Sequence, residues 1–320
     1  MAVNMDRPDR WEADIAASVV AFDGWFESFA TDAVREARSE VVNEVPDLFD
    51  ASANLTALDW NLLRAEPRRL RALRMVTAPP LAQDRLAGFA KISKSLVDNM
   101  EERERLPPRM DDEEIEAKLN DIITVVRRRL DSHIFPWIGE SGHASERELV
   151  AAKAVVEDRL ALSIANPRIR NAQEERQLSV LAGALAELGY RDLSGAPGAS
   201  FVGLPPGTFA RHVGVQGKQT GGNRVNVPVD VMIRRKPDLR TASVPVLVEA
   251  KSAGDFTNVN KRRKEEADKV ANLRRVHGES VQFVLLLGGY FDIGYLQYVA
   301  NERIDWIWEH RISDLAELGL

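Results

Sequence analysis

The spacing of apolar residues changes at Asn166-Pro167, and this change constrains the fold more than any other feature of the sequence. Before it, apolar residues recur every three or four positions, which is typical of the buried face of a helix. After it, one helical stretch is followed by short Val-rich runs and turns, the order of a mixed α/β domain. We therefore predict an α+β fold, with a mainly α-helical region at residues 1–165 and a mixed α/β domain with a central sheet at 166–320.

Prolines and glycines indicate where the predicted elements end. Because proline lacks an N–H and has a fixed φ, it disfavours the continuation of a helix. In the first half we expect breaks at Pro46, Pro67, Pro79, Pro80, Pro107, Pro108 and Pro136. In the second half we predict helices at 172–188 and 260–276 and strands at 224–234, 244–251, 281–287 and 304–308. The first two strands are expected to form a hairpin around Lys236-Pro237-Asp238.

Composition removes several kinds of site. The chain has no cysteine, which excludes disulfides, thiolate metal sites and thiol nucleophiles, so any metal must be held by oxygen or imidazole. No apolar run reaches the roughly 18 residues of a membrane-spanning helix. The N-terminus also lacks the basic-then-apolar layout of a signal peptide. We therefore expect a cytoplasmic protein.

Charge is distributed unevenly along the chain. Residues 166–320 contain 21 Lys and Arg against 18 Asp and Glu, whereas residues 1–165 contain 22 against 31. The basic surplus is concentrated between Arg211 and Arg275, where 15 basic residues accompany 7 acidic ones. Such a surplus in a Gly- and Asn-rich segment is expected where phosphates bind, although a solvated protein surface would explain it equally well.

Three charged residues end or interrupt apolar strands. The run Val246-Leu247-Val248 leads directly into Glu249, and Lys251 follows on the same face of the strand, about 7 Å further along. Asp230 interrupts the apolar strand at 224–234. A hairpin of these two strands would place Asp230 beside Glu249, and two such carboxylates repel unless a cation lies between them.

This trio of residues has the chemistry that phosphodiester hydrolysis requires. Asp230 and Glu249 would hold Mg²⁺, the hard cation that prefers oxygen ligands. Lys251 would orient or help to deprotonate the attacking water and stabilise the developing negative charge. The alternative is a structural salt bridge at a strand end, which the common Glu-x-Lys spacing also fits.

The segments Pro228-Val229-Asp230 and Glu249-Ala250-Lys251 resemble the half-motifs of the PD-(D/E)XK nuclease superfamily. Val229 separates the proline from the aspartate, which usually adjoin, so only Asp230 of the first half-motif is carried over. The stretches at 166–175 and 304–311 resemble type II restriction endonucleases of the XamI type. The resemblance implies a restriction-endonuclease-like catalytic domain at 166–320 and Mg²⁺-dependent cleavage of double-stranded DNA at a short specific sequence.

The resemblance also gives a role to an acidic residue on the helix at 172–188. Superfamily members often place a helix carboxylate near the metals. Glu174 continues the core-facing stripe of Leu178, Leu181 and Leu185, so it is favoured over Glu175 as a further metal ligand. The alternative is that Glu174 is an acid near a helix start, where the helix dipole stabilises negative charge.

Several polar and basic residues are candidates for DNA contacts. Lys218, Gln219 and Arg224 surround the Gly-rich loop at 217–222, from which they could reach phosphates or base edges. Lys261 and Arg262 open the helix at 260–276, where cations oppose the helix dipole and a partner is plausible. A solvated surface is the alternative for both groups.

Histidine and tryptophan give no further site by sequence. The five histidines show no metal-ligand spacing and are expected to be ordinary surface or core residues: His133, His143, His212, His277 and His310. Trp306 and Trp308 alternate along a strand, and we expect core packing rather than base stacking.

The site residues and the resemblance together predict a type II restriction endonuclease that uses Mg²⁺ and binds double-stranded DNA. If the DNA target is palindromic, a homodimer is expected, because a protein with two-fold symmetry matches DNA with two-fold symmetry. The resemblance implies a cognate DNA methyltransferase as a genetic partner. The helical region 1–165 is expected to contact DNA or to mediate dimerisation. The alternatives are a structure-specific or repair nuclease of the same superfamily and a non-catalytic DNA-binding protein.

Overall fold

The computed structural model describes residues 2–139, 143–197, 199–236, 244–256 and 259–320, with the backbone alone described for 259–263. Three short 3₁₀ helices begin at prolines: Pro8–Arg10, Pro67–Arg69 and Pro136–Ile138. A fourth covers Glu309–Leu318. The α-helices of the described residues are α1 (Trp11–Val41), α2 (Glu44–Ala51), α3 (Trp60–Ala65), α4 (Leu70–Met75), α5 (Gln83–Ala90), α6 (Lys94–Glu101), α7 (Asp112–Arg127), α8 (Glu146–Glu187), α9 (Val259–His277) and α10 (Ile293–Asn301).

The strands are β1 (Arg191–Asp192), β2 (Thr208–Lys218), β3 (Arg224–Arg234), β4 (Val246–Ala253), β5 (Gln282–Gly289) and β6 (Asp305–Trp308). They form one mixed sheet in the order β1-β2-β3-β4-β5-β6. Its centre is antiparallel, since β3 pairs antiparallel with both β2 and β4. The outer pairs β1–β2, β4–β5 and β5–β6 are parallel.

The α+β fold predicted from the sequence is confirmed, as are the adjacent antiparallel strands β3 and β4. Positions 237 and 238 of the predicted turn between them lie outside the described residues. Strand β2 was not predicted from the sequence, although its apolar residues Val213 and Val215 alternate with exposed ones. The prediction that Trp306 and Trp308 belong to the core is confirmed, because both are fully buried.

Each face of the sheet is covered by its own apolar cluster. On one face, Leu178, Leu181 and Leu185 of α8 pack with strand residues such as Val248. On the other face, α9, α10 and Trp11 pack with strand residues such as Leu247. Because the side chains of β4 alternate between these faces, Glu249 lies on the face covered by α9 and α10.

The predicted start of a helix near residue 172 is wrong, because α8 begins at Glu146 and contains Pro167 in its interior. A proline inside a helix costs about 3 kcal/mol, since it removes one hydrogen bond and crowds the preceding turn. Apolar residues on both sides of Pro167 are nevertheless buried, among them Leu160 and Leu178. Packing of this long helix therefore overrides the local preference that the proline imposes.

The described chain divides into two compact units, Ala30–Ile169 and the combination of Met1–Phe29 with Arg170–Leu320. The first unit has an all-helical core that includes Leu48, Leu63 and Leu119. The second unit contains the sheet and differs from the predicted region 166–320, because residues 1–29 pack with it. Trp11, for example, lies 5.4 Å from Trp306 between ring centroids. No helix among the described residues is long and apolar enough to cross a membrane.

Candidate active site

Asp230 and Glu249 meet at the point where β3 and β4 stop pairing. The last recorded pair is Val231 with Val248, so continuation of the same register places Asp230 opposite Glu249. The Asp230 carboxylate accepts a hydrogen bond from the N–H of Ala250 at 2.8 Å. Because β3 and β4 separate at this point, the N–H of Ala250 would otherwise lack a partner in the ladder between them. The Asp230 carboxylate accepts its hydrogen bond instead.

Two lysines surround the buried carboxylate of Glu249. Its Oε1 lies 3.0 Å from Nζ of Lys251 and 2.5 Å from Nζ of Lys269. Lys251 also lies 3.1 Å from Oε1 of Glu266, a residue of α9 that is only 1% exposed. The salt bridge that the sequence analysis considered as an alternative for Glu249 and Lys251 is therefore present, within a larger charged network.

These side chains line a cavity of about 520 Å³. Residues of β3, β4, α8, α9 and α10 contribute to its wall, including Asp230, Glu249, Lys251, Glu266 and Tyr295. Oε2 of Glu249 is buried and has no hydrogen-bond partner among the described residues. A buried carboxylate oxygen without a partner is costly, and a bound cation would satisfy it. The donor set therefore fits an oxygen-preferring divalent cation.

Burial and neighbouring charges shift the protonation of the site. Burial and the nearby Glu249 raise the pKa of Asp230, because both disfavour its charged form. Burial by itself would lower the pKa of Lys251, but the carboxylates of Glu249 and Glu266 outweigh it and raise that pKa. Burial, Glu266 and Glu249 raise the pKa of Tyr295, which keeps its phenol protonated as a donor in the cavity wall.

The predicted helix carboxylate Glu174 approaches Asp230, together with a histidine that the sequence analysis had assigned to ordinary surface or core. Glu174, His212 and Asp230 each offer one ligand atom, and these three atoms lie within 4.8 Å of one another. Glu175 instead contacts Arg211 on the exposed surface, at 3.4 Å. Because Glu174 lies well inside α8 rather than at its start, the helix dipole does not explain its position.

Three of the predicted DNA-contacting residues lie at the tip of one hairpin. Lys218 ends β2 and pairs with Arg224 at the start of β3, and Gln219 opens the turn between them. All three side chains are exposed. Lys261 and Arg262 lie in the first turns of α9, but their side chains are outside the described residues. The DNA contacts of both groups stay predictions.

Two charged residues of α9 that contact the site, Glu266 and Lys269, were not predicted from the sequence. A usable signal existed for the first, because Glu266, Val270 and Leu273 recur at the spacing of a buried helix face. A carboxylate on such a stripe requires a partner inside the protein. For Lys269 the helical spacing gives no comparable signal, since it points to the site only once α9 is packed on the sheet.

Comparison with known proteins identifies the family. The family model described as XamI restriction endonuclease matches residues 53–308. The type II restriction enzyme SalI of Streptomyces albus G is 43% identical over 320 residues, which is 99% of each chain. No solved structure matches this chain.

Proposed function

The chain belongs to the XamI restriction endonuclease family and is a site-specific type II deoxyribonuclease, and from this premise we propose that Asp230, Glu249 and Lys251 form its catalytic site. The observation that carries the proposal is the cavity in which two carboxylates and an ammonium group converge. Glu249 in this cavity presents an oxygen without a hydrogen-bond partner among the described residues.

Asp230 and Glu249 would hold Mg²⁺ as the cofactor. When bound, Mg²⁺ supplies a Lewis acid that withdraws charge from the scissile phosphate and promotes deprotonation of the attacking water. The raised pKa of Asp230, caused by burial and by Glu249, supports this proposal. It reflects the cost of two neighbouring negative charges, which a bound cation would reduce.

Lys251 would position the attacking water and stabilise the charge that develops on the phosphate. Its ammonium group lies between Glu249 and Glu266, at 3.0 and 3.1 Å, so its direction is fixed from two sides. A fixed cation at the reacting centre needs no reorganisation during the reaction, which is the general advantage of preorganised charge. Lys269 adds a second cation at Glu249.

The substrate is DNA, and we propose double-stranded DNA with a short specific sequence as the target. Lys218, Gln219 and Arg224 at the hairpin tip, with Lys261 and Arg262, would contact phosphates or bases. We further propose a homodimer, a cognate DNA methyltransferase as genetic partner and a cytoplasmic location, where the DNA target is found. The region 1–165, apart from the residues that pack with the sheet, would serve DNA contact or dimerisation.

Cleavage of plasmid DNA at fixed salt tests the catalytic assignment. We expect discrete fragments from the wild-type protein with Mg²⁺, no cleavage with EDTA, and a loss of at least about 100-fold in rate for Lys251→Ala. In Ca²⁺, Lys251→Ala should bind the plasmid fragments as the wild type does, which shows that it is folded. Lys94→Ala, which changes an exposed lysine paired with Asp98, is the matched control.

Three outcomes would contradict the proposal. Undiminished cleavage by Lys251→Ala would remove this lysine from catalysis, and a smear without discrete fragments would favour a structure-specific nuclease. Full cleavage in EDTA would remove the metal from the assignment.

A further inference from the structure

We infer that Glu174, His212 and Asp230 form a second cation position that has a nitrogen ligand and takes Mn²⁺ or a similar transition-metal ion. One ligand atom of each residue lies within 4.8 Å of the other two. The three side chains come from α8, β2 and β3, so the sheet and a helix packed on it build the group together. The inference rests on the proposed function, because Asp230 is shared with the Mg²⁺ site.

The backbone of His212 departs from an ordinary strand. Its φ is +52°, in the left-handed region that few non-glycine residues adopt. The β2–β3 pairing continues on both sides, at Arg211 with Val231 and at Val213 with Val229, but no pair is recorded between His212 and Asp230. The ladder is thus interrupted where the imidazole and the carboxylate lie opposite each other.

Both strands change the face that they present at this interruption. In uninterrupted β2, Phe209 and Val213 would lie on one face, yet Phe209 packs in the cluster with α8 and Val213 in the cluster with α9. In β3, Val231 and Val229 are divided between the same two clusters. The left-handed φ of His212 therefore lies at the point of the ladder where the buried side chains of both strands change face.

The side chains of Glu174 and His212 are available to a ligand. Both are exposed, and neither makes a hydrogen bond or ion pair within the described part of the chain. In contrast, the ring of His277 is bonded to the carbonyl of Gln216 at 2.7 Å and stacks on Phe201. Neighbouring ligand atoms around a cation with bonds of about 2.1 Å lie about 3 Å apart. To bind a cation, the two exposed side chains would rotate to close the remaining distance.

The donor set determines the kind of cation. Mg²⁺ prefers oxygen ligands throughout, whereas an imidazole nitrogen favours transition metals. Two carboxylates and one neutral imidazole therefore favour Mn²⁺ or Co²⁺ over Mg²⁺ at this position. The position differs in chemistry from the all-oxygen pair of Asp230 and Glu249.

Pulsed electron paramagnetic resonance of Mn²⁺ added alone to the tag-free full chain tests this inference. We expect ¹⁴N modulation from a coordinated imidazole in the wild type and in His277→Gln, and its loss in His212→Gln. Mn²⁺ affinity should fall about tenfold or more in His212→Gln, since even residues outside a metal's direct ligands often contribute that much. His212→Asp should retain Mn²⁺ binding without the nitrogen signal, which separates loss of the ligand from loss of the fold.

Persistence of the ¹⁴N modulation in His212→Gln would overturn the inference. Mn²⁺ bound to the wild type without any nitrogen signal, together with normal Mg²⁺-dependent cleavage, would overturn it and leave the proposed function intact. A nitrogen signal that depends on His212, in a protein that does not cleave DNA with Mg²⁺, would support the inference and contradict the proposed function.

Discussion

At the scale of single residues, the site depends on how its buried charges are paired. Lys251 is 19% exposed at its side chain and has two carboxylate partners, Glu249 and Glu266. Glu266 is almost fully buried, and a buried charge is stable only with a partner of opposite sign. Lys251 thus links the proposed catalytic pair to α9, and Glu266 is a positioning residue rather than a catalytic one.

Replacement of Glu266 tests this pairing. In Glu266→Gln, Lys251 loses one of its carboxylates in a mostly buried setting, so we expect a decrease of about 1–3 kcal/mol in the free energy of unfolding. Urea denaturation followed by circular dichroism measures the change. Glu279→Gln is the control, because Glu279 is 83% exposed and its pair with Arg274 should contribute almost nothing. Equal stability of Glu266→Gln and the wild type would show that the pair does not stabilise the fold.

At the scale of elements, the hairpin of β2 and β3 extends beyond the strand that flanks it. β4 pairs with β3 only at residues 231–233, whereas β2 pairs with β3 as far as Lys218 and Arg224. Arg275 of α9 donates to the carbonyl of Lys218 at 3.2 Å and to Oγ1 of Thr220 at 3.1 Å. These hydrogen bonds from α9 restrain the exposed tip. A restrained tip loses less conformational freedom when it binds a DNA duplex.

Removal of charge from this tip should change the salt dependence of DNA binding. Each phosphate contact that is lost lowers the slope of log K against log salt by about 1, so we expect a decrease of about 2 in Lys218→Ala/Arg224→Ala. Binding in Ca²⁺ over a series of KCl concentrations measures the slope. Lys94→Ala again serves as control, and a double variant with the wild-type slope would exclude the hairpin tip from phosphate contact.

At the scale of the whole molecule, the chain contains two compact units, each with its own apolar core. The sheet of one unit carries the proposed catalytic residues. A short palindromic target presents the same phosphates twice, related by a two-fold axis, so two such sites could cut both strands in one encounter.

We therefore expect a homodimer in solution. Sedimentation equilibrium of the full chain over a range of concentrations should give twice the mass of one chain, and a cleavable duplex should bind two chains. Lys251→Ala should give the same mass, since this substitution changes the site and not the assembly. A single chain on each duplex would contradict the dimer and would require sequential nicking of the two strands.

Local sequence determined much of this protein. Alternation and helical spacing predicted the α+β fold, the bounds of β3 and the neighbouring strands on which Asp230 and Glu249 face each other. These features depend on residues that are close in sequence, for which periodicity is a direct physical signal. The same rule placed Glu174 on the side of α8 that approaches Asp230, although its side chain is exposed rather than buried.

Only the tertiary structure decided the rest. The length of α8 through Pro167, the packing of residues 1–29 with the sheet, and the approach of His212 to Glu174 all depend on contacts between distant segments. Local preference opposes the continuation of α8 through Pro167, because proline disfavours a helix interior. Local sequence also gives no indication of the left-handed φ at His212. Burial of apolar side chains outweighs such local costs, and periodicity does not report which distant surfaces will meet.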